Sequence, residues 1–142
     1  MKKTIYILTP TIVSIMGLIL NFQKYMYGSP ADIKNFIVTF LCMSTWIACI
    51  FFTAKSKCKF VLFFYLAFWT ITLLLALLTV YVNLTDVSID WAILFSVLFL
   101  GQFYGVTYLT TSFMAATTVI AIISFGMAIF IIILLKRVKA RC

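Results

Sequence analysis

Histidine is absent from this chain, and the only acids among its 142 residues are Asp32, Asp86 and Asp90. General acid–base catalysis draws mainly on histidine and carboxylates, and metal centres draw on the same groups together with thiolates. With so few of them, hydrolytic or metal-dependent chemistry has almost nothing to work with. No glycine-rich phosphate loop and no Cys-x-x-Cys pair is present either. All three acids fall at the ends of apolar runs, so a proton-coupled transporter would lack its embedded carboxylate. The expectation is a protein that is not an enzyme and takes neither metal nor cofactor.

Charge is scarce as well, at 10% of residues, whereas 65% are hydrophobic. A soluble domain carries about 25% charged residues. A water-soluble fold this small has too high a ratio of surface to volume to hide so much apolar surface. The solvent for most of the chain must be a lipid bilayer. Only two prolines and five glycines interrupt it, so long helices are the natural outcome. Of the four cysteines, Cys42 and Cys49 sit seven residues apart within one run. On a helix their Cα atoms are roughly 10 Å apart, too far for a disulfide, and buried thiols are expected.

Five apolar runs cover 4–22, 35–54, 60–82, 91–109 and 113–135. Each is close to the ~20 residues that a membrane-spanning helix needs. Lipid offers backbone groups no partners, which overrides the strand preference of the β-branched stretch "AIISFGMAIFIIILL". The fold class is therefore all-α: a polytopic integral membrane protein, a single bundle of four to five hydrophobic helices with short loops. The first run is longer than the core of a signal peptide, and retention as a helix is expected. In the joint "YGSPADIKN", Ser29 or Asp32 can cap the second helix. Asp90 stands before Trp91 as a cap of the fourth would.

The net charge of +8 does not form a nucleic-acid groove, because the cations cluster at run ends. There they act as topology signals and as contacts for anionic lipid headgroups. Lys55, Lys57 and Lys59 form a basic hairpin, and Lys136, Arg137, Lys139 and Arg141 follow the last run. If all five runs cross, the eleven cations divide five to six and no orientation is preferred. If one of the last two runs enters and returns, nine share one side and only Lys24 and Lys34 face the other. Short basic loops stay cytoplasmic, so the N-terminus is expected in the cytoplasm, with the plasma membrane as the host.

The stretch "LFLGQFYGVTYLTTS" (98–112) carries the alternative. Either Gly101 and Gln102 bend a re-entrant segment around 92–112, or Gly101 and Gly105 form a small-xxx-small face on an ordinary crossing helix. Gln102 is the only amide well inside an apolar run, and in lipid it must find a partner. Two functions follow. The first is an accessory, immunity or assembly factor that meets another membrane protein, or itself, through helix–helix contacts centred on Gly101, Gln102 and Gly105. The second is a small oligomeric transporter or channel in which Gln102 and a seam of Thr107, Thr110, Thr111, Ser112, Thr117 and Thr118 line the path.

Overall fold

The computed structural model describes residues 2–85, 89–110 and 112–138, with side chains from Thr4 onward. Among these residues the chain is helical and has no strand: α1 (Lys2–Met26), α2 (Ile33–Lys55), α3 (Lys59–Thr85), α4 (Asp90–Leu100), a 3₁₀ segment (Gly101–Tyr108) and α5 (Phe113–Arg137). Five helical stretches are long and apolar enough to cross a membrane, the fourth being Asp90–Tyr108 taken as one. The all-α polytopic architecture expected from composition is thus the one observed, each helix beginning and ending within three or four residues of its apolar run.

Local chemistry fixes the joints. Asp32 caps α2 by accepting from the Asn35 backbone N–H, and the Asn35 side chain accepts from the Asp32 N–H in return, both at 3.1 Å. This reciprocal box ties down two otherwise orphaned donors. Ser112 caps α5 through the Ala115 N–H at 3.1 Å. The basic hairpin turns through Lys57, whose φ of 57° is left-handed. At the start of α4 the expectation fails: Ile89 occupies the cap, and Asp90 lies in the first turn without a side-chain cap bond. A carboxylate there still favours the positive helix end. Asp86 lies outside the described residues.

Pro10 stands inside α1 and has no N–H to give the Tyr6 carbonyl one turn earlier. The buried Tyr65 hydroxyl donates to that carbonyl at 2.6 Å, and the Tyr6 hydroxyl meets Ser56 Oγ at 2.8 Å. In lipid an unpaired carbonyl is costly, so α3 repairs the gap proline leaves in α1. These contacts put the start of α1 beside the α2–α3 turn. Phe51 and Phe130, 6.0 Å apart, bring the end of α5 to the same end of the bundle, hereafter the basic end.

The opposite end gathers the α1–α2 joint, the end of α3 and the start of α5. Tyr25 and Phe113 are 6.0 Å apart there, and both share a surface recess with Val82 and Ile89. Cys42, Cys49 and Cys58 are buried; the first two are free thiols, as expected, and Cys58 is disulfide-bonded. The aromatic core is Trp46, Tyr65, Phe68 and Trp69, with Trp46 stacked on Phe68 at 4.3 Å between ring centroids. Large apolar side chains that remain exposed, such as Ile19, Phe40, Phe63 and Ile122, form the surface that lipid would cover.

Candidate functional site

α4 and the 3₁₀ segment enter the bundle and come back. α4 starts at the far end, where Ala92 and Ile93 flank Val82. Its 11 residues descend roughly 16 Å at 1.5 Å per residue, half of a ~30 Å bilayer core. At the bottom, Phe99 lies 5.4 Å from Phe68 and Phe103 stacks on Trp69 at 5.7 Å. The chain then climbs: the Tyr104 hydroxyl donates to the Ser29 carbonyl at 2.7 Å, and Tyr108 packs against Phe36 at 5.8 Å. Both ends of the segment are therefore at the far end of the bundle. Of the two alternatives for residues 92–112, the structure takes the re-entrant one.

A 3₁₀ run of eight residues is long, since this geometry rarely exceeds three or four residues. Non-helical backbone at membrane depth is tolerated only inside protein, and Gly101, Gln102, Phe103, Tyr104 and Gly105 are all buried. The backbone groups released by the tight turn are met from α1 and α2. The Gln102 carbonyl accepts from Asn21 Nδ2 and from Thr39 Oγ1, both at 3.1 Å. The Gly105 N–H donates to Thr39 Oγ1 at 3.0 Å. Asn21 is held in turn by Asn35, whose Nδ2 donates to Asn21 Oδ1 at 2.9 Å. Asn35 is also the residue of the capping box, so the box at the head of α2 and the tip of the hairpin form one network.

The glycines of "GQFYG" act separately. With about three residues per turn, positions four apart point in different directions. A Cβ on Gly101 would meet Leu18 of α1 at 2.7 Å, whereas one on Gly105 would run into the Asn35 carbonyl of α2. The expected single small-residue face is thus replaced by two close approaches to two helices. Gly17 supplies a third: a Cβ there would lie 2.5 Å from Cys42 Sγ and 3.5 Å from Gln102 Cβ.

Gln102 is only 1% exposed, yet its carbonyl rather than its side chain is the centre of the network. Its Nε2 donates to the Phe99 carbonyl at 3.2 Å, and its Oε1 has no partner among the described residues. Sequence reading singled it out as the only amide within an apolar run. Asn21 and Asn35, assigned to run ends, are equally buried and were missed, as was Thr39. The visible signal was the asparagine in "LILNFQ". Of the hydroxyls proposed as a seam, Thr107, Thr117 and Thr118 donate to carbonyls of Tyr104, Phe113 and Met114 at 2.7–2.9 Å. Thr110 bonds Val106 and Ser112 carbonyls, and Thr111 lies outside the described residues.

Beside the hairpin tip is a cavity of about 340 Å³, open to the side of the bundle between α1 and α3. Thr11, Ser14 and Leu18 of α1, Phe64 and Phe68 of α3, and Gln102 are among its walls. The Ser14 hydroxyl already accepts from Trp46 Nε1 at 3.0 Å, and Thr11 donates to the Ile7 carbonyl at 2.7 Å. Lys55, Lys57, Lys59, Lys136 and Arg137 stand at the basic end and are not among the cavity's walls; Lys139 and Arg141 lie outside the described residues. Among the described residues no group of three or more metal-ligating side chains comes together. Comparison with protein-family models, with curated proteins and with solved structures found no match for this chain.

Proposed function

We propose that the chain is a non-enzymatic membrane protein, an accessory, immunity or assembly factor that works through contacts between helices within the bilayer. One observation carries this reading: the backbone groups freed at the hairpin tip, the Gln102 carbonyl and the Gly105 N–H, are met from α1 and α2, and among the described residues Gln102 Oε1 is the one buried side-chain N or O atom of the hairpin without a partner. A permeation path needs polar groups facing an open route. Here the hydroxyls bind their own backbone and the carbonyl of Gln102 is already doubly bonded. The transporter reading retains only the side cavity, whose wall is apolar apart from a few atoms.

The start of α1 and the end of α5 are assigned to the cytoplasm. The re-entrant path brings Lys55, Lys57, Lys59, Lys136 and Arg137, with the backbone of Lys2 and Lys3, to one end of the bundle. Lys24 and Lys34 are at the other, and Lys24 is 3.9 Å from Asp32. That bias favours a cytoplasmic basic end and contact with anionic headgroups. The disulfide at Cys58 pulls the other way, since such bonds persist in oxidising compartments. Charge sets orientation during insertion, so with the basic end cytoplasmic the Cys58 bond is expected to be open in the cell and to close only on oxidation.

Two measurements test this. In a cysteine-free background, Tyr27→Cys should react with a membrane-impermeant maleimide on intact cells, while Ser56→Cys should react only after permeabilisation. The opposite pattern would place the basic end outside. In liposomes, the purified protein should pass no more potassium or small fluorescent dye than empty vesicles. A flux that Gln102→Leu abolishes would establish the transporter reading instead.

A further inference from the structure

We infer that Asn21 and Thr39 are topology determinants: their side chains select the returning path of residues 90–108, and without them that segment crosses as one helix and delivers α5 inverted. The inference goes beyond the accessory reading and stands whichever function the protein serves.

The returning path has a competitor built from the same residues. Asp90–Tyr108 is 19 residues long and apolar enough to cross a membrane. As one α-helix it would reach about 28 Å at 1.5 Å per residue, close to the ~30 Å of a bilayer core. In that helix the Gln102 carbonyl would accept from the Val106 N–H, and the Gly105 N–H would donate to the Gly101 carbonyl, each four residues away. The crossing form therefore asks nothing of the other helices. The hairpin does, since its Gln102 carbonyl takes Asn21 Nδ2 and Thr39 Oγ1 and its Gly105 N–H takes Thr39 Oγ1. If the segment crossed, these polar groups of α1 and α2, both buried, would lose their hairpin partners at a depth where lipid supplies no replacement. Asn21 and Thr39 thus stabilise one threading and oppose the other.

Charge favours the same threading and conceals their effect. The returning path puts Lys136, Arg137, Lys139 and Arg141 with the other basic residues, nine cations against two, whereas crossing carries all four to the opposite face, five against six. C-terminal charges can set a topology on their own. Replacing these four residues by glutamine leaves five cations against two in both threadings, because no other Lys or Arg follows Lys59. Charge then no longer separates the two paths, and the contacts made by α1 and α2 become visible.

The test follows the full chain with this neutral tail in cells. Replacing Cys42, Cys49 and Cys58 by alanine leaves Cys142 to report the tail. Replacing Cys142 as well and adding Ser56→Cys reports the α2–α3 turn. A membrane-impermeant maleimide, applied before and after permeabilisation, gives the side of each. The neutral tail alone should leave Cys142 on the same side as the turn. Adding Asn21→Leu and Thr39→Val together should raise the share of molecules with Cys142 opposite the turn about tenfold, the weight of three polar contacts between membrane helices. Gly105→Ala should act in the same direction by another route, since its Cβ meets the Asn35 carbonyl in the hairpin but suits a straight helix. Thr117→Val, whose hydroxyl bonds within its own helix, should leave the share unchanged. An even division of Cys142 between the two sides with the neutral tail alone would overturn the inference, because charge would then be the whole of the decision. So would a share that Asn21→Leu with Thr39→Val leaves unaltered, or that Thr117→Val raises equally. A turn that changes sides together with the tail would also overturn it, since the entire bundle would have inverted. Labelling reads the side of a residue and not the packing of the bundle, so a variant that inserts without packing still gives one of these answers.

Discussion

Gly105→Ala should destabilise the protein by about 3 kcal/mol, the upper end of the range for overpacking a close contact. The added Cβ would meet the Asn35 carbonyl oxygen, its carbon at 2.5 Å and Thr39 Oγ1 at 2.6 Å. Two of those three atoms are backbone in the first turn of α2, where the Asp32–Asn35 box holds the chain. A flexible side chain could swing aside, but this backbone has nowhere to go without opening the network. Gly126→Ala is the internal control, because nothing lies within 4 Å of its Cβ position. It should be neutral or mildly stabilising, as alanine is the better helix former. Unfolding in mixed micelles, followed by tryptophan fluorescence, compares the two directly, since Trp69 stacks on Phe103 of the hairpin. Equal midpoints for both variants would mean that the hairpin is not seated on α2 as described.

Asn21→Leu should lower stability by about 2 kcal/mol. Polar contacts between membrane helices average ~0.6 kcal/mol and reach ~1–2, and this change removes three: to the Gln102 carbonyl, to Thr39 and from Asn35. The Gln102 carbonyl keeps Thr39 as a donor, which limits the loss. Thr117→Val is the matched comparison: Thr117 is buried as well, but its hydroxyl bonds only the Phe113 carbonyl of its own helix. It should cost less than about 0.5 kcal/mol. The same micelle titration, with amide hydrogen exchange at Gly105 as a second reading, separates the two. If the two variants lose the same stability, the network is not what ties the hairpin to α1.

Much of the fold was legible in advance because lipid makes its demands locally. Any apolar run of about 20 residues must satisfy its backbone internally, so composition and run length suffice to name helices and their ends. The re-entrant path was legible only as an alternative. The cation pattern asked for an even number of crossings, and "GQFYG" marked where a turn could occur, but Gly101 and Gly105 fitted a packed straight helix equally well. Gln102 stood out for being an amide among apolar residues, yet what matters at that position is its carbonyl, which every residue possesses. Asn21 and Thr39 escaped notice because their purpose is to meet backbone groups elsewhere in the chain.

The sequence by itself determined the solvent, the helices, a cap for α2 at Ser29 or Asp32, and the segregation of cations that a returning segment would produce. These follow from near-neighbour chemistry and from charge. Only the tertiary structure decided that residues 90–108 turn back, that Gly101 and Gly105 serve different helices, and that one amide oxygen of Gln102 is buried without a partner among the described residues. The reason is physical. The bond from Asn21 to the Gln102 carbonyl joins residues 81 apart, and a donor's partner at that separation is set by how helices pack, which no local spacing encodes.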